Sequence, residues 1–171
     1  MTSNPYQKAY NIVHGKTLDF ISYKPRSVRE VELRVDKYLG SKKLDLSKEE
    51  KINIKDGVFK VLEQASLVDD ERYVRDFVSE KINSSKPISK YFLKMFLVKK
   101  GISASVIENG LDLYTDDIEH EKACIVAQLK LKHLKAQDKR KVQNKIYSHL
   151  ISKGYNSYVS RSVVDTLIDV K

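Results

Sequence analysis

Turn-forming residues are scarce in this chain. Its 171 residues hold only three prolines and six glycines, too few for the turns that a sandwich of many short strands requires, so long helices with short connections are expected. A single cysteine, Cys124, excludes an internal disulfide and makes a reducing cytoplasm the expected compartment. Tryptophan is absent, and no segment sets a basic face against a bulky aromatic one, which argues against a membrane surface as partner. No run of about 18 apolar residues is available to span a bilayer, and the N-terminal stretch lacks the apolar core of a signal peptide. Gly-rich phosphate loops are missing too. His14, His120, His133 and His149 show neither the paired spacing of a zinc helix nor a C-x-x-C partner. Cys124 sits among Ala123, Ile125 and Val126, where a small core residue is favoured over a nucleophile. No enzymatic activity, metal or cofactor is expected.

What the chain has in quantity is charge and helical periodicity. Charged residues are 32% and hydrophobic residues 41%, which suits a highly charged helical protein with a real but limited core. Asp69 to Leu111 reads as a complete three-helix repeat. Asp69-Asp70-Glu71-Arg72 opens a helix with carboxylates where free N–H groups and the positive end of the macrodipole favour them. Tyr73, Val74, Phe77, Val78 and Ile82 form one face of it. Pro87 starts a second helix, Ile88 to Lys100, stopped by Gly101. Ser103 caps a third, carrying Val106, Ile107 and Leu111. The second helix is apolar nearly all round: Ile88, Tyr91, Phe92, Met95, Phe96 and Val98 take a broad face, with Leu93 and Leu97 opposite. Such a helix is normally enclosed, and neighbouring repeats are expected to cover it, Phe92 and Phe96 included.

Similar signals flank this repeat. Asn4-Pro5 opens a helix from Tyr6 to about Ser22, carrying Ala9, Tyr10, Val13, Phe20 and Ile21, and Pro25 follows it. Ser27 with Glu30, and Ser47 with Glu50, are capping boxes. The helices they open carry Val28, Val31, Val35 and Leu39, then Ile54, Val58, Val61, Leu62 and Ala65. Beyond Leu111, Asp116-Asp117 stands 47 positions after Asp69-Asp70. Ala123, Val126, Ala127, Leu131 and Leu134 mark a helix there, and Glu119 to Glu121 reads as its solvated first turn. Asp138 caps the next helix, striped by Val142, Ile146 and Leu150, which ends in Lys153-Gly154-Tyr155 as the earlier one ends in Lys100-Gly101-Ile102. An all-α array of three-helix repeats, about nine helices in all, is expected, with boundaries 1–67, 68–114 and 115–171.

The net charge of +9 and pI near 9.4 point to a polyanionic partner and say nothing about fold. From His120 to Lys153, nine basic residues (Lys122, Lys130, Lys132, Lys135, Lys139, Arg140, Lys141, Lys145, Lys153) stand against Glu121 and Asp138, so nine minus two gives +7. Clustering of this kind on helices is the footprint of phosphate contact, although lysine-rich helices also serve solubility. Tyr147, Tyr155 and Tyr158 flank the run, as stacking platforms or as core residues. Lys86, Lys90 and Lys94 form a basic edge on the central repeat, with Lys99 and Lys100 at its end, and Arg26 and Arg29 lie in the first. With Lys132, Lys135, Lys139, Arg140, Lys141, Lys145 and Lys153, these are the candidate nucleic-acid or filament contacts.

Several of these signals occur together in a known family. Pro25-Arg26-Ser27-x-x-Glu30, the junction Leu67-Val68-Asp69-Asp70-Glu71-Arg72-Tyr73, and the paired Leu-x-x-Lys-Gly turns at Gly101 and Gly154 resemble the RecX regulatory proteins, modulators of the RecA recombinase. The resemblance spans nearly the whole chain. It implies an elongated array of three-helix repeats without catalysis. It also implies a monomer that sits in the groove of RecA filaments on single-stranded DNA and modulates the recombinase, inhibition being the expected direction. Two departures are visible: the first repeat offers Tyr38-Leu39-Gly40 in place of a Lys-Gly turn, and Val74 occupies the junction helix where a small residue is usual. The other reading is a free-standing helical nucleic-acid-binding protein with no recombinase partner.

Overall fold

The computed structural model describes residues 4–41, 44–134 and 138–169. Among them are nine α-helices and no strand: α1 (Pro5–Ser22), α2 (Val28–Leu39), α3 (Lys48–Gln64), α4 (Asp70–Asn83), α5 (Lys90–Lys99), α6 (Ala104–Leu111), α7 (Asp116–Lys132), α8 (Lys139–Ser152) and α9 (Ser157–Asp169). The all-helical fold expected from the scarcity of proline and glycine is the fold found. None of these helices is long and apolar enough to cross a membrane. Their starts follow the capping residues closely. Asn4 and Asp138 accept from the N–H groups of Tyr6 and Arg140, and both capping boxes are complete. Thr115, which carried no expectation, caps α7 through the Ile118 N–H. Ser103 stands at the start of α6 but makes no cap bond, its hydroxyl meeting that of Ser105 instead.

The chain divides into two compact units. The first comprises Met1–Tyr73 together with Lys100–Ile102. Its core is made by Ala9 and Val13 of α1, Val31, Val35 and Leu39 of α2, and Ile54, Val58 and Leu62 of α3. These are i, i+4 stripes, one per helix, so three amphipathic helices bury one face each against the others. Val61 and Ala65, expected on the same face of α3, are exposed.

The second unit comprises Val74–Lys99 and Ser103–Lys171. Ala123, Val126 and Ala127 of α7, Ile146 and Leu150 of α8, and Val159, Val163 and Val164 of α9 join Tyr155 in its main core. Val74, Val78, Leu93, Leu97, Ile107 and Leu111 are also buried. Val74 lies directly against Gly110, where an added Cβ would collide with the Val74 Cγ1. The bulk of Val74 in the junction helix is thus accommodated by the lack of a side chain on α6.

The expected enclosure of α5 is not found. Leu93 and Leu97 are its buried side chains, while the broad aromatic face is open, with Tyr91 at 55% exposure, Phe92 at 41% and Val98 at 49%. One leucine per turn, at i and i+4, suffices to seat a short helix against α6. Phe96 stacks on Phe77 at 4.6 Å between centroids and is still 37% exposed. The helix also starts at Lys90 rather than Ile88, because Ser89 takes the capping position, its hydroxyl accepting from the Phe92 N–H at 3.4 Å. Glu119 departs from expectation as well: it is buried, and its carboxylate lies 3.4 Å from the Lys90 N–H, which it accepts.

Each unit contains the same tie between a serine and a lysine-glycine turn. In the first, the Ser27 hydroxyl accepts from the Glu30 N–H at 3.3 Å and donates to the Lys100 carbonyl at 2.7 Å. In the second, Ser89 donates to the Lys153 carbonyl at 2.8 Å. Gly101 and Gly154 have φ of +76° and +81°, the left-handed conformation that lets the chain turn back at a helix end. A side chain two residues past each serine lies on the glycine: Arg29 on Gly101, and Tyr91 on Gly154. The N–H one residue past the serine is received by a carboxylate, from Val28 to Asp70 at 2.9 Å and from Lys90 to Glu119.

Two expectations can be checked by thermal and denaturant unfolding. Leu93→Ala is expected to cost about 2–5 kcal/mol, as removal of a fully buried leucine does, and Tyr91→Ala markedly less. Gly110→Ala is expected to destabilise by about 1–3 kcal/mol through overpacking, and Val74→Ala in the same chain to recover most of that loss. Simple additivity of the two changes would show that the close approach is not what holds glycine there.

Candidate interaction surface

In the first unit the basic candidates are tied into the Ser27 junction. Arg26 lies with its guanidinium 4.0 Å from the Phe20 ring centre, Arg34 approaches the same ring at 4.3 Å, and Arg26 also pairs with Glu30 at 3.7 Å. Lys100 pairs with Glu30 at 2.6 Å. Arg29 packs its stem on Gly101 and extends a more exposed guanidinium to Glu32 at 3.1 Å. Burial alone would raise the Glu30 carboxyl, but the Lys100 ammonium, the Ser27 N–H and Arg26 outweigh it and hold the group below its usual range. Asp70 goes the other way. Burial raises it, and the nearby charges of Asp69, Glu30 and Glu32 add to that against the Val28 N–H. The expected cap of α4 is supplied by Asp69, whose carboxylate accepts from the Arg72 N–H at 3.0 Å, whereas Asp70 serves the start of α2.

In the second unit the candidates are more open. Lys86 precedes α5 and is exposed, Lys90 is half-buried, Lys94 pairs with Glu108, and Lys99 is exposed at the helix end. Lys132 is exposed at the end of α7, Lys139, Arg140 and Lys141 fill the first turn of α8, and Lys145 and Lys153 are exposed further along. Lys135 lies outside the described residues. Lys122, counted with the basic run, is internal: it is buried, and its ammonium donates to the Ile82 and Ser84 carbonyls at 2.7 and 3.0 Å. It closes the C-terminal end of α4, where carbonyls lack helical partners. Of the flanking tyrosines, Tyr155 is buried, Tyr147 packs against the core, and Tyr158 is open at 83% exposure.

Two adjoining hollows run beside α8. The first, of about 680 Å³, is lined by Pro87, Ile88, Ser89, Phe92, Val126, Leu129, Lys130, His133, His149, Lys153 and Tyr155. The second, of about 580 Å³, is lined by Lys130, Leu134, Asn144, Lys145, Ser148 and His149. Lys130 and His149 belong to both, so the hollows adjoin along one groove, and among the described residues no carboxylate lines it. His149 is held below its usual pKa by partial burial and by the charges of Lys130 and Lys153. The Tyr155 hydroxyl is buried without a hydrogen-bond partner. The sequence reading of His133 and His149 concerns metal ligation only and does not anticipate their place in this groove. The spacing Lys145, His149, Lys153 at i, i+4, i+8 carries the signal.

The described residues thus form an all-helical fold built on serine-capped helix starts and lysine-glycine turns, with a cationic groove beside α8. The chain is 28% identical over 171 residues to a regulatory protein RecX of Clostridium botulinum (strain Eklund 17B / Type B), covering 95% of this chain and 79% of that one. To the regulatory protein RecX of Clostridioides difficile (strain 630) it is 29% identical over 164 residues, covering 96% and 70%. The crystal structure of RecX from Lactobacillus salivarius superimposes with a TM-score of 0.75 at 25% identity, over 96% of this chain and 99% of that one. No family model matches the chain. Across nearly its whole length the chain is thus similar, in sequence and in fold, to regulatory proteins named RecX.

The opposed carboxyl shifts define a pH test. Glu30 is depressed, so its contribution is full above the unfolded value near 4.5 and is lost as pH falls through the lower folded value. Asp70 is raised, so its ionisation costs stability at neutral pH, and that cost is relieved as pH falls toward 3.8. Glu30→Gln is therefore expected to lower the melting temperature at pH 7 and to flatten its decline below pH 4.5. Asp70→Asn, which keeps an acceptor for Val28, is expected to match or exceed the parent at pH 7, and Asp70→Ala to fall below both.

Proposed function

We propose that this chain is a non-enzymatic regulator that binds in the groove of RecA filaments on single-stranded DNA and inhibits the recombinase. It acts as a cytoplasmic monomer without a cofactor, in DNA repair, recombination and the SOS response. Its helices are taken as three repeats, 1–67, 68–114 and 115–171. The observation that carries the reading is the likeness to regulatory proteins named RecX across almost the whole chain, in sequence and in fold. The exposed cations of α8 and the end of α7 supply the physical means. Phosphate contacts of this kind position a protein without reading sequence.

The same cations would serve a free-standing nucleic-acid binder, and a salt series separates the two readings. Reversing Lys139, Arg140 and Lys141 to Glu is expected to weaken filament binding while leaving circular dichroism unchanged, since all three are exposed in a first helical turn, where acids are tolerated. Each lost phosphate contact removes roughly one unit from the slope of log affinity against log salt, so a flattening by about two or three is expected. The loss should be larger on recombinase-coated strands than on bare ones. Equal losses on both would favour the free-standing binder, and an unchanged slope would assign these side chains to solubility.

A further inference from the structure

We propose that the groove beside α8 is a docking site for an acidic peptide segment bearing bulky apolar side chains, contributed by a protein partner. Its floor is apolar, with Ile88, Phe92, Val126 and Leu129 in the first hollow and Leu134 in the second. Phe92 and Leu129 are 41% and 48% exposed, and large side chains left open along a concave surface mark interaction sites. The rim is cationic through Lys130, Lys145 and Lys153, with His133 and His149 beside them, and no carboxylate among the described residues offsets the lysines.

Charge complementarity selects an anionic ligand, and the floor selects its class. A single nucleic-acid strand held without sequence preference needs flat aromatic or guanidinium faces on which successive bases stack. Besides the buried Tyr155, the described lining offers Phe92 and the imidazoles of His133 and His149, no arginine among it, and its floor is otherwise aliphatic. Aliphatic walls instead match leucine- or phenylalanine-like side chains, as when an amphipathic helix lies in a hydrophobic groove. Carboxylates flanking those side chains would meet the lysines, and would favour the protonated form of His149, now disfavoured by Lys130 and Lys153.

The proposal goes beyond the filament reading, since it concerns a peptide rather than phosphates and names no recombinase. Its test is a selection of short random peptides against the whole chain, followed by titration of the enriched peptides. Enriched sequences are expected to be acidic and to carry spaced bulky apolar residues. Leu129→Ser or Lys130→Glu should each weaken them about tenfold or more, as loss of a central contact does, while reversal of Lys139, Arg140 and Lys141 should leave them unaffected. Leu129 is half exposed, so its replacement leaves folding intact, and circular dichroism verifies this. Neutral or basic winners, no enrichment, binding indifferent to both groove variants, or displacement by oligo-dT would each overturn the proposal. The salt series on filaments can succeed or fail independently of all these results.

Discussion

One buried hydroxyl carries the main structural burden at each lysine-glycine turn. A serine at a helix start ordinarily accepts a bond from an N–H three residues on and leaves its own proton to solvent. Here Ser27 and Ser89 are fully buried, and each uses both capacities, accepting within its own helix and donating to the carbonyl of a Lys-Gly turn 73 or 64 residues away. That carbonyl sits at a helix end, among groups without intrahelical partners. Alanine there would orphan two backbone groups at once, and a buried orphan costs more than a made hydrogen bond contributes.

Around the shared hydroxyl the two junctions solve their remaining requirements differently. Near Ser27 the neighbours are ionic: Glu30 receives Lys100 and Arg26, and Asp70 receives the Val28 N–H at some cost to its own ionisation. Near Ser89 they are aromatic, with Tyr91 and Phe92 against Gly154 and the Tyr114 hydroxyl donating to the Ile88 carbonyl. Ionic neighbours make the first junction sensitive to acid, whereas an aromatic neighbour leaves apolar surface beside the second. Phe92, one member of that aromatic pair, also lies in the floor of the groove.

Local structure was legible because its causes are local. The capping boxes at Ser27 and Ser47, the two positive-φ glycines and most of the i, i+4 stripes act over a few residues and are readable from spacing, whereas the Ser89 cap is not and Ser103 makes no cap bond. Long-range partners were not. Nothing near Asp70 says that its carboxylate serves Val28 rather than its own helix, and nothing near Glu119 or Lys122 says that they are buried. The α5 error has the same origin. Apolar composition around a helix reports what it can bury, while Leu93 and Leu97 were chosen as the buried pair by the shape of the neighbouring surface. The groove is not legible in the sequence because it joins residues of α5, α7 and α8 that lie far apart in the chain, and only the Lys145, His149, Lys153 spacing along one helix is local.

The basic run therefore divides by environment rather than by position in the sequence. Lys122 is satisfied inside the fold, and Lys94 meets Glu108 in an exposed pair of small energetic value. Lys139, Arg140 and Lys141 are exposed, and attraction between exposed charges and phosphate is long-ranged but screened within about 10 Å at ordinary salt. Lys130 and Lys153 edge an apolar floor. A carboxylate drawn to them there is partly desolvated on binding, so its contact is shorter-ranged, less sensitive to salt and more dependent on geometry. One stretch of chain thus presents its cations in two settings, open to solvent at the start of α8 and against an apolar floor in the groove.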